Sequence, residues 1–378
     1  MEPRHTLGIL TCRRPCTTCQ STRYKDSQLE KEISNMANPP PRYDKPRVFV
    51  KSIASETYSL SEARRQHLSS VPRVIRKDYR DYLDGKAREK NIISPVNEPF
   101  VTQSLQAHFV TLPPAARDKG HGHQNEAFFY ILEGRGFDMH DGVRYDWEKG
   151  DAVAVHNDSV HWHNNEDPDH GVVILVMKAK PLWLFLGLHQ QGPLGTSPSA
   201  GDDRWGPPVE WSVIRDPEDV RLKKVIKPND TPWQTTPHGR IRLLADASVP
   251  LRVKAIDVQL HEIAPGSRSG KQWQVADEIF YVLEGRGYDL HWDVDVDITD
   301  RYYARIAKQP SRWEWQAGDM VYIPHNTIHQ HFSADPAHPA KLICGTNRIY
   351  KQIGYARVEQ LENAPEFDAL HQRAAAQA

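Results

Sequence analysis

From about residue 101 onward the chain is built of short apolar runs separated by turn residues. Runs 105–112, 127–132, 151–155 and 171–178 have the length and the β-branched and aromatic content of strands. A polar stretch rich in Gly and Pro covers 189–236 and reads as a linker. Strand-like runs return at 251–260, 278–283, 319–324 and 341–345. Residues 58–92 are charged and follow a helical pattern from the Ser-x-x-Glu start at Ser59, with a break at Pro72. Arg73, Arg76, Arg80 and Arg88 in this stretch form either a solvated face or a lid or partner-binding arm. The pattern predicts an all-β dominated chain with flanking helices. Its parts are a disordered arm (1–46), a helical region plus a first β-domain (47–188), the linker (189–236), a second β-domain (237–354), and a C-terminal helix and tail (355–378).

An internal repeat supports the two-domain reading. Phe128-Phe-Tyr-Ile-Leu-Glu-Gly-Arg-Gly136 returns as Ile279-Phe-Tyr-Val-Leu-Glu-Gly-Arg-Gly287, at an offset of 151 residues (Gly136 to Gly287). Gly150-Asp151 leading to His161-Trp-His163 returns as Gly318-Asp319 leading to His329-Gln-His331, at an offset of 168 (His161 to His329). The second copy therefore carries an insertion in 291–312, the kind of extension a surface hairpin tolerates.

Composition narrows the function. With 48 Lys+Arg against 49 Asp+Glu, the net charge of −1 argues against a broad grip on nucleic acid. The 28 prolines and 22 glycines favour turns over long helices. Cys12, Cys16 and Cys19 crowd the N-terminal arm with His5, where they read as part of a flexible segment or as thiols for zinc. Cys344 stands alone. This is no disulfide framework, so a reducing cytoplasm is expected. No signal peptide is apparent, and Met36 is an alternative start. The most apolar stretch, 171–188, is broken by Lys178, Lys180 and Pro181, so no membrane partner is expected.

His121-Gly-His123, an apolar strand, Glu-Gly-Arg-Gly, then Gly-Asp and His161-Trp-His163 resemble the two signature motifs of the cupin superfamily. Both motifs occur in order, twice, over about 100–180 and 250–350. The resemblance implies two double-stranded β-helix (jelly-roll) barrels. Strand alternation turns His121 and His123 to one face, and His161 from another strand can close a metal site with them. Three neutral imidazoles suit Fe(II), Zn(II), Ni(II), Cu(II) or Mn(II). Cupins with a fourth protein ligand carry a Glu at the position held here by Ala127. Glu126 lies one place off and should face away unless a bulge redirects it. The second copy keeps Glu278 and His329 but has Gln272 and Gln274 in place of the histidine pair, so a metal-free second barrel is expected. His163 shares parity with His161, as proton relay, substrate contact or rim residue. Gln106 and His108 share one strand face, either the cavity or the exterior.

Within the cupins, His121-x-His123 with Ala127, together with His161-Trp-His163-Asn164, is similar to the gentisate 1,2-dioxygenases and their salicylate and 1-hydroxy-2-naphthoate relatives. Gly122, His156, Asp158 and Val160 depart from that family's usual motif residues. The resemblance implies Fe(II) or another divalent metal on His121, His123 and His161, and a dioxygenase using O2 on a hydroxylated aromatic acid. His163 would take a catalytic part, Gln106 and His108 would contact substrate, and Arg144 or an arginine of the 73–88 helix would hold its carboxylate. A diketone or flavonol dioxygenase, an isomerase and a non-enzymatic ligand-binding or storage bicupin are the alternatives. Such relatives imply a homodimer or homotetramer.

Overall fold

The computed structural model describes residues 68, 70–76, 88–94, 102–188, 190–195, 197, 200–214 and 221–377, which belong to one compact unit spanning Arg47–Ala378. The expectations for the 1–46 arm, its three cysteines and Met36, and those for Arg80 and much of 58–92, lie outside the described residues.

Among the described residues, four antiparallel sheets form two barrels. In the first, a sheet ordered Val225–Ile226, Ala152–Val155, Ala127–Glu133, Val172–Lys178, Gln106–Leu112, Arg88–Ile93 is combined with a second ordered Gln191–Pro193, His121–His123, Ser159–Asn165, Arg135–His140, Val143–Glu148. In the second barrel, one sheet runs Val74–Arg76, Asp319–Ile323, Glu278–Glu284, Ala340–Asn347, Ile256–Ile263, Gly239–Ala245, Gln234–Thr236. The other is Tyr302–Ile306, Arg286–Ile298, Thr327–Ser333, Lys271–Gln274, Glu359–Glu362, with Ser311–Gln316 also on Arg286–Ile298.

The unbroken apolar run at 172–177 follows from burial on both faces. Val172, Ile174 and Val176 pack inside the first barrel with Phe129, Ile131 and Trp147. Val173, Leu175 and Met177 turn the other way. They join Phe109 and Phe128 in a core shared with Val258, Leu260, Ile279, Tyr281 and Ile343 of the second barrel. Phe109 meets Tyr281 edge-on at 5.6 Å between ring centroids. The second barrel's own interior holds Phe280, Val282, Trp315, Val321 and Leu342.

The repeated Glu-Gly-Arg-Gly is a requirement of the backbone. Gly134 and Gly285 turn the chain at φ +86° and +87°, where side chains are strained. A Cβ on Gly136 would fall 2.0 Å from the carbonyl oxygen of Asn164, and one on Gly287 would fall 1.9 Å from that of Phe332.

Several boundaries differ from the sequence pattern. Where helix was expected over 58–92, the described residues include two strands, Val74–Arg76 and Arg88–Ile93. The first pairs Val74 with Val321 and so extends the second barrel. Pro72 stops a helix, the β-branched Val74-Ile75 suits an edge, and Arg73 anchors the segment. Arg73 is buried, with its guanidinium 2.7 Å from Asp293 and 3.1 Å from Nδ1 of His291, so it is neither a solvated face nor a lid. The linker contributes short strands to both barrels. The C-terminal helix spans only Pro365–Gln377, because Glu359–Glu362 pairs with Lys271–Gln274 as a strand. The insertion is a hairpin of Arg286–Ile298 with Tyr302–Ile306. Among the described residues no helix is long and apolar enough to cross a membrane.

Candidate metal centre

The strand His121–His123 pairs antiparallel with Ser159–Asn165, with His121 opposite His161. Residues i and i+2 share a face, and directly opposed residues have neighbouring side chains. These two rules bring three imidazoles together. Ring centroids lie 4.4 Å apart for His121–His161, 4.7 Å for His123–His161 and 5.3 Å for His121–His123. One nitrogen from each falls within 4.8 Å of the others, so the trio could hold a metal ion. The former linker completes this sheet: Pro193 pairs opposite His121 and Gln191 opposite His123.

The tautomers suit ligation. Nδ1 of His123 donates to the carbonyl of Asn125, and Nδ1 of His161 lies 3.2 Å from the carbonyl of Ser159. A carbonyl only accepts, so each ring keeps its lone pair on Nε2. Nε2 of His161 is buried with no hydrogen-bond partner, which fits a missing cation. Burial, then neighbouring cationic groups, holds the pKa of His123 and His161 well below the usual histidine value, favouring the neutral ligand form.

The trio contains no carboxylate. Ala127 packs into the barrel core. The Glu126 side chain points the other way, where its carboxylate accepts hydrogen bonds from the backbone N–H of Lys254, at 2.8 Å, and of Ala255.

A cavity of about 430 Å³ opens on the trio, lined also by His108, Phe129, His163 and Lys178, with Arg117 and Lys119. Three cations, buried Lys178 and exposed Arg117 and Lys119, outnumber the single carboxylate of the lining, Asp118. His108 is therefore on the cavity face, where burial and then the charge of Lys178 lower its pKa. His163 donates through Nδ1 to Asp138 at 2.8 Å, and Trp147 Nε1 donates to the same oxygen at 2.8 Å. Burial opposes a charge on His163, but the Asp138 charge, its hydrogen bond and Asp118 outweigh it and raise the pKa.

Two expected substrate residues are placed differently. Gln106 is buried, opposite Lys178 in the strand register, but does not contribute to the cavity lining. Arg144 is a correction. It sits on the outer strand Val143–Glu148, exposed, paired with Asp146 at 2.6 Å and Glu166 at 2.7 Å and lying over the Phe137 ring. Its guanidinium is spent on surface partners outside the cavity. Lys178 was missed, although its parity with Val172, Ile174 and Val176 placed it inside. Arg117 and Lys119 had no signal beyond lying just before His121.

In the second barrel the two glutamines at the motif positions hydrogen-bond to other side chains. Gln272 donates to Gln360 at 2.8 Å and Gln274 to Glu278 at 2.9 Å. Burial pushes the Glu278 pKa up to about 7. A different trio meets there: His238, His261 and His331, all buried, with ligand nitrogens within 4.8 Å of one another. The expectation of a metal-free barrel weighed only the motif positions and did not include this group.

Residues 108–177 match the family described as Cupin domain. No curated protein matches the sequence. Among solved structures, a variant of the salicylate 1,2-dioxygenase from Pseudoaminobacter salicylatoxidans superposes with a TM-score of 0.56 at 14% identity, covering 92% of this chain and 99% of that one. Another structure of the same enzyme gives 0.55 at 12% identity, with 92% and 99% covered. The Lactobacillus farciminis oxalate decarboxylase in a formate complex gives 0.51 at 15% identity, with 74% and 86% covered. At these identities the superpositions establish the fold. Residues 108–177 are thus a cupin domain, and the chain as a whole has the two-barrel fold of those structures.

Proposed function

We propose that the protein is an Fe(II)-dependent dioxygenase that uses O2 to cleave a hydroxylated aromatic acid or a similar chelating anion at His121, His123 and His161. The observation that carries this reading is a three-imidazole site, without a carboxylate, facing a cationic cavity. Neutral ligands leave the full charge of a divalent cation for an anionic substrate. A cavity of about 430 Å³ is in the range of small-molecule sites. Iron bound there would supply a chelation point for adjacent hydroxyl and carboxylate oxygens and a redox partner for O2. Lys178 gives the substrate carboxylate a buried cation, and Phe129 gives the ring an apolar wall. His163, held by Asp138, can present Nε2 to the substrate as a proton donor or acceptor. His108 adds a second polar contact.

The test is O2 uptake by the Fe(II)-loaded protein across a panel of phenolic acids. Uptake of one O2 per molecule of an ortho-hydroxy acid, with a ring-opened product, is the expected result. Lys178→Met should raise KM at least ten-fold while the protein still binds iron. The oxalate decarboxylase likeness favours a second reading, another metal-dependent cupin enzyme acting on a small carboxylate. CO2 release from such an acid, with no O2 consumed in the phenolic panel, would replace the first reading by the second.

A further inference from the structure

We propose that His238, His261 and His331 form a second binding site for a divalent transition metal, one strand repeat away from the cupin motif position. The trio assembles from three separate segments. His238 lies in the turn between the strands Gln234–Thr236 and Gly239–Ala245. His261 is on Ile256–Ile263 and His331 on Thr327–Ser333. Ring centroids are 4.4, 5.6 and 5.7 Å apart, close to the spacing in the first barrel.

The polar accounting of these rings is incomplete without a ligand. Nδ1 of His238, both nitrogens of His261 and Nε2 of His331 are buried without a hydrogen-bond partner. Buried polar atoms of native proteins are almost always satisfied, so four orphans on three adjoining rings point to an absent partner. A cation accepts several lone pairs at once, whereas another protein donor would satisfy one. Gly239 keeps the space open, since a Cβ there would come 2.6 Å from Nε2 of His261.

The surroundings are those of a metal site. Asp289 takes Nδ1 of His331 at 3.0 Å with each oxygen, leaving Nε2 as the ligand atom and supplying a negative charge behind it. Trp315 Nε1, 2.7 Å away, fixes the carboxylate in turn. Imidazole ligands select the borderline divalent ions, Zn(II), Co(II), Ni(II), Cu(II) and Fe(II), over Mg(II) or Ca(II).

The site is distinct from the motif geometry. His329, not His331, is the counterpart of the first-barrel ligand His161. His261 lies opposite Leu342 in the register, as Val110 lies opposite Ile174 in the first barrel. A displacement of two residues along a strand is about 7 Å. The second barrel thus keeps His329, has Gln272 and Gln274 in place of the histidine pair, and brings three other histidines together.

The experiment uses chelator-stripped full-length chain titrated with Zn(II) and with Co(II), reading stoichiometry by elemental analysis and Co(II) visible absorption. Wild type should take two ions per chain. His121→Ala with His161→Ala, which leaves the second barrel untouched, should retain one. Adding His261→Gln to that pair should abolish the remaining ion and its Co(II) spectrum. A folded His121→Ala/His161→Ala protein that holds no ion overturns the proposal. So does an ion that survives His261→Gln, because it would then sit elsewhere, for example on the N-terminal cysteines. If the triple variant fails to fold, a Co(II) spectrum without imidazole ligation in the double variant overturns the assignment.

Discussion

Asp138 and Asp289 occupy corresponding places in the two barrels and receive the same donors. Each buried carboxylate accepts from a tryptophan Nε1, Trp147 or Trp315, and from Nδ1 of a histidine, His163 or His331. Nε2 of His291 adds a hydrogen bond to Asp289 at 3.2 Å, whereas Nε2 of His140 lies 3.4 Å from Asp138 without hydrogen-bond geometry. An acceptor-only group held by an indole fixes which imidazole nitrogen faces the cavity. Glu278 shows the opposite case, a buried carboxylate held by the Gln274 amide and the Cys344 thiol, with no indole or imidazole donor. Burial raises its pKa from 4.5 to about 7. The sign follows: the fold holds the proton more tightly than the unfolded chain, so stability falls as pH rises from 4.5 towards 7 and is level above. A shift of this size corresponds to about 3 kcal/mol at pH 8. Glu278→Gln keeps an oxygen acceptor for Gln274 and cannot ionise. Denaturant unfolding of chelator-treated protein should show the variant gaining about 2–3 kcal/mol over wild type between pH 5 and pH 8. Parallel pH profiles for the two proteins would refute the assignment.

At the scale of elements, one acidic residue beside each motif strand clasps the other barrel. Glu126 accepts from the backbone of Lys254 and Ala255. Asp277, its counterpart at the 151-residue offset, accepts from the backbone N–H of Ser104 at 3.0 Å and from the Ser104 hydroxyl. Strand alternation explains the arrangement, since Ala127 and Glu278 turn inward and their predecessors must turn outward. Burial raises both pKa values and the hydrogen bonds oppose it. Glu126→Ala removes the acceptor of two part-buried N–H groups, those of Lys254 and Ala255, and should cost about 1–3 kcal/mol of stability. Metal content at His121, His123 and His161 should stay unchanged. Loss of metal with no loss of stability would instead make Glu126 part of the centre. This clasp marks how far the sequence could be read. Period-two alternation and the repeated motifs placed the ligand histidines and turned Glu126 outward, because both rest on local geometry. The partner of Glu126 lies 128 residues away and has no local signature. The same holds for His238 and His261, which meet His331 only through the closure of the barrel. Residues 74–76 read as helix because their charge pattern is local, while the edge that pairs with them is not.

At the scale of the whole molecule, the two barrels are not independent domains. Alternate residues of Val172–Lys178 and Ala127–Glu133 face a core shared with Leu260, Ile279, Tyr281 and Ile343. A chain cut in the linker would expose these side chains to water on both fragments, at roughly 25 cal/mol per Å² of apolar surface. Single domains are marginally stable by about 5–15 kcal/mol, so loss of a shared face of this kind removes most of the margin. The full chain should therefore unfold in one calorimetric transition, and the separate halves should not fold in isolation. Phe109 is the sharpest probe, because it belongs to the first barrel and packs edge-on against Tyr281 of the second. Phe109→Ala should cost about 3–5 kcal/mol. The single transition should move down by on the order of 10 °C without splitting. A split into two transitions, with only the first-barrel component shifted, would mean that the barrels fold separately and that the shared core is a docking contact between finished domains.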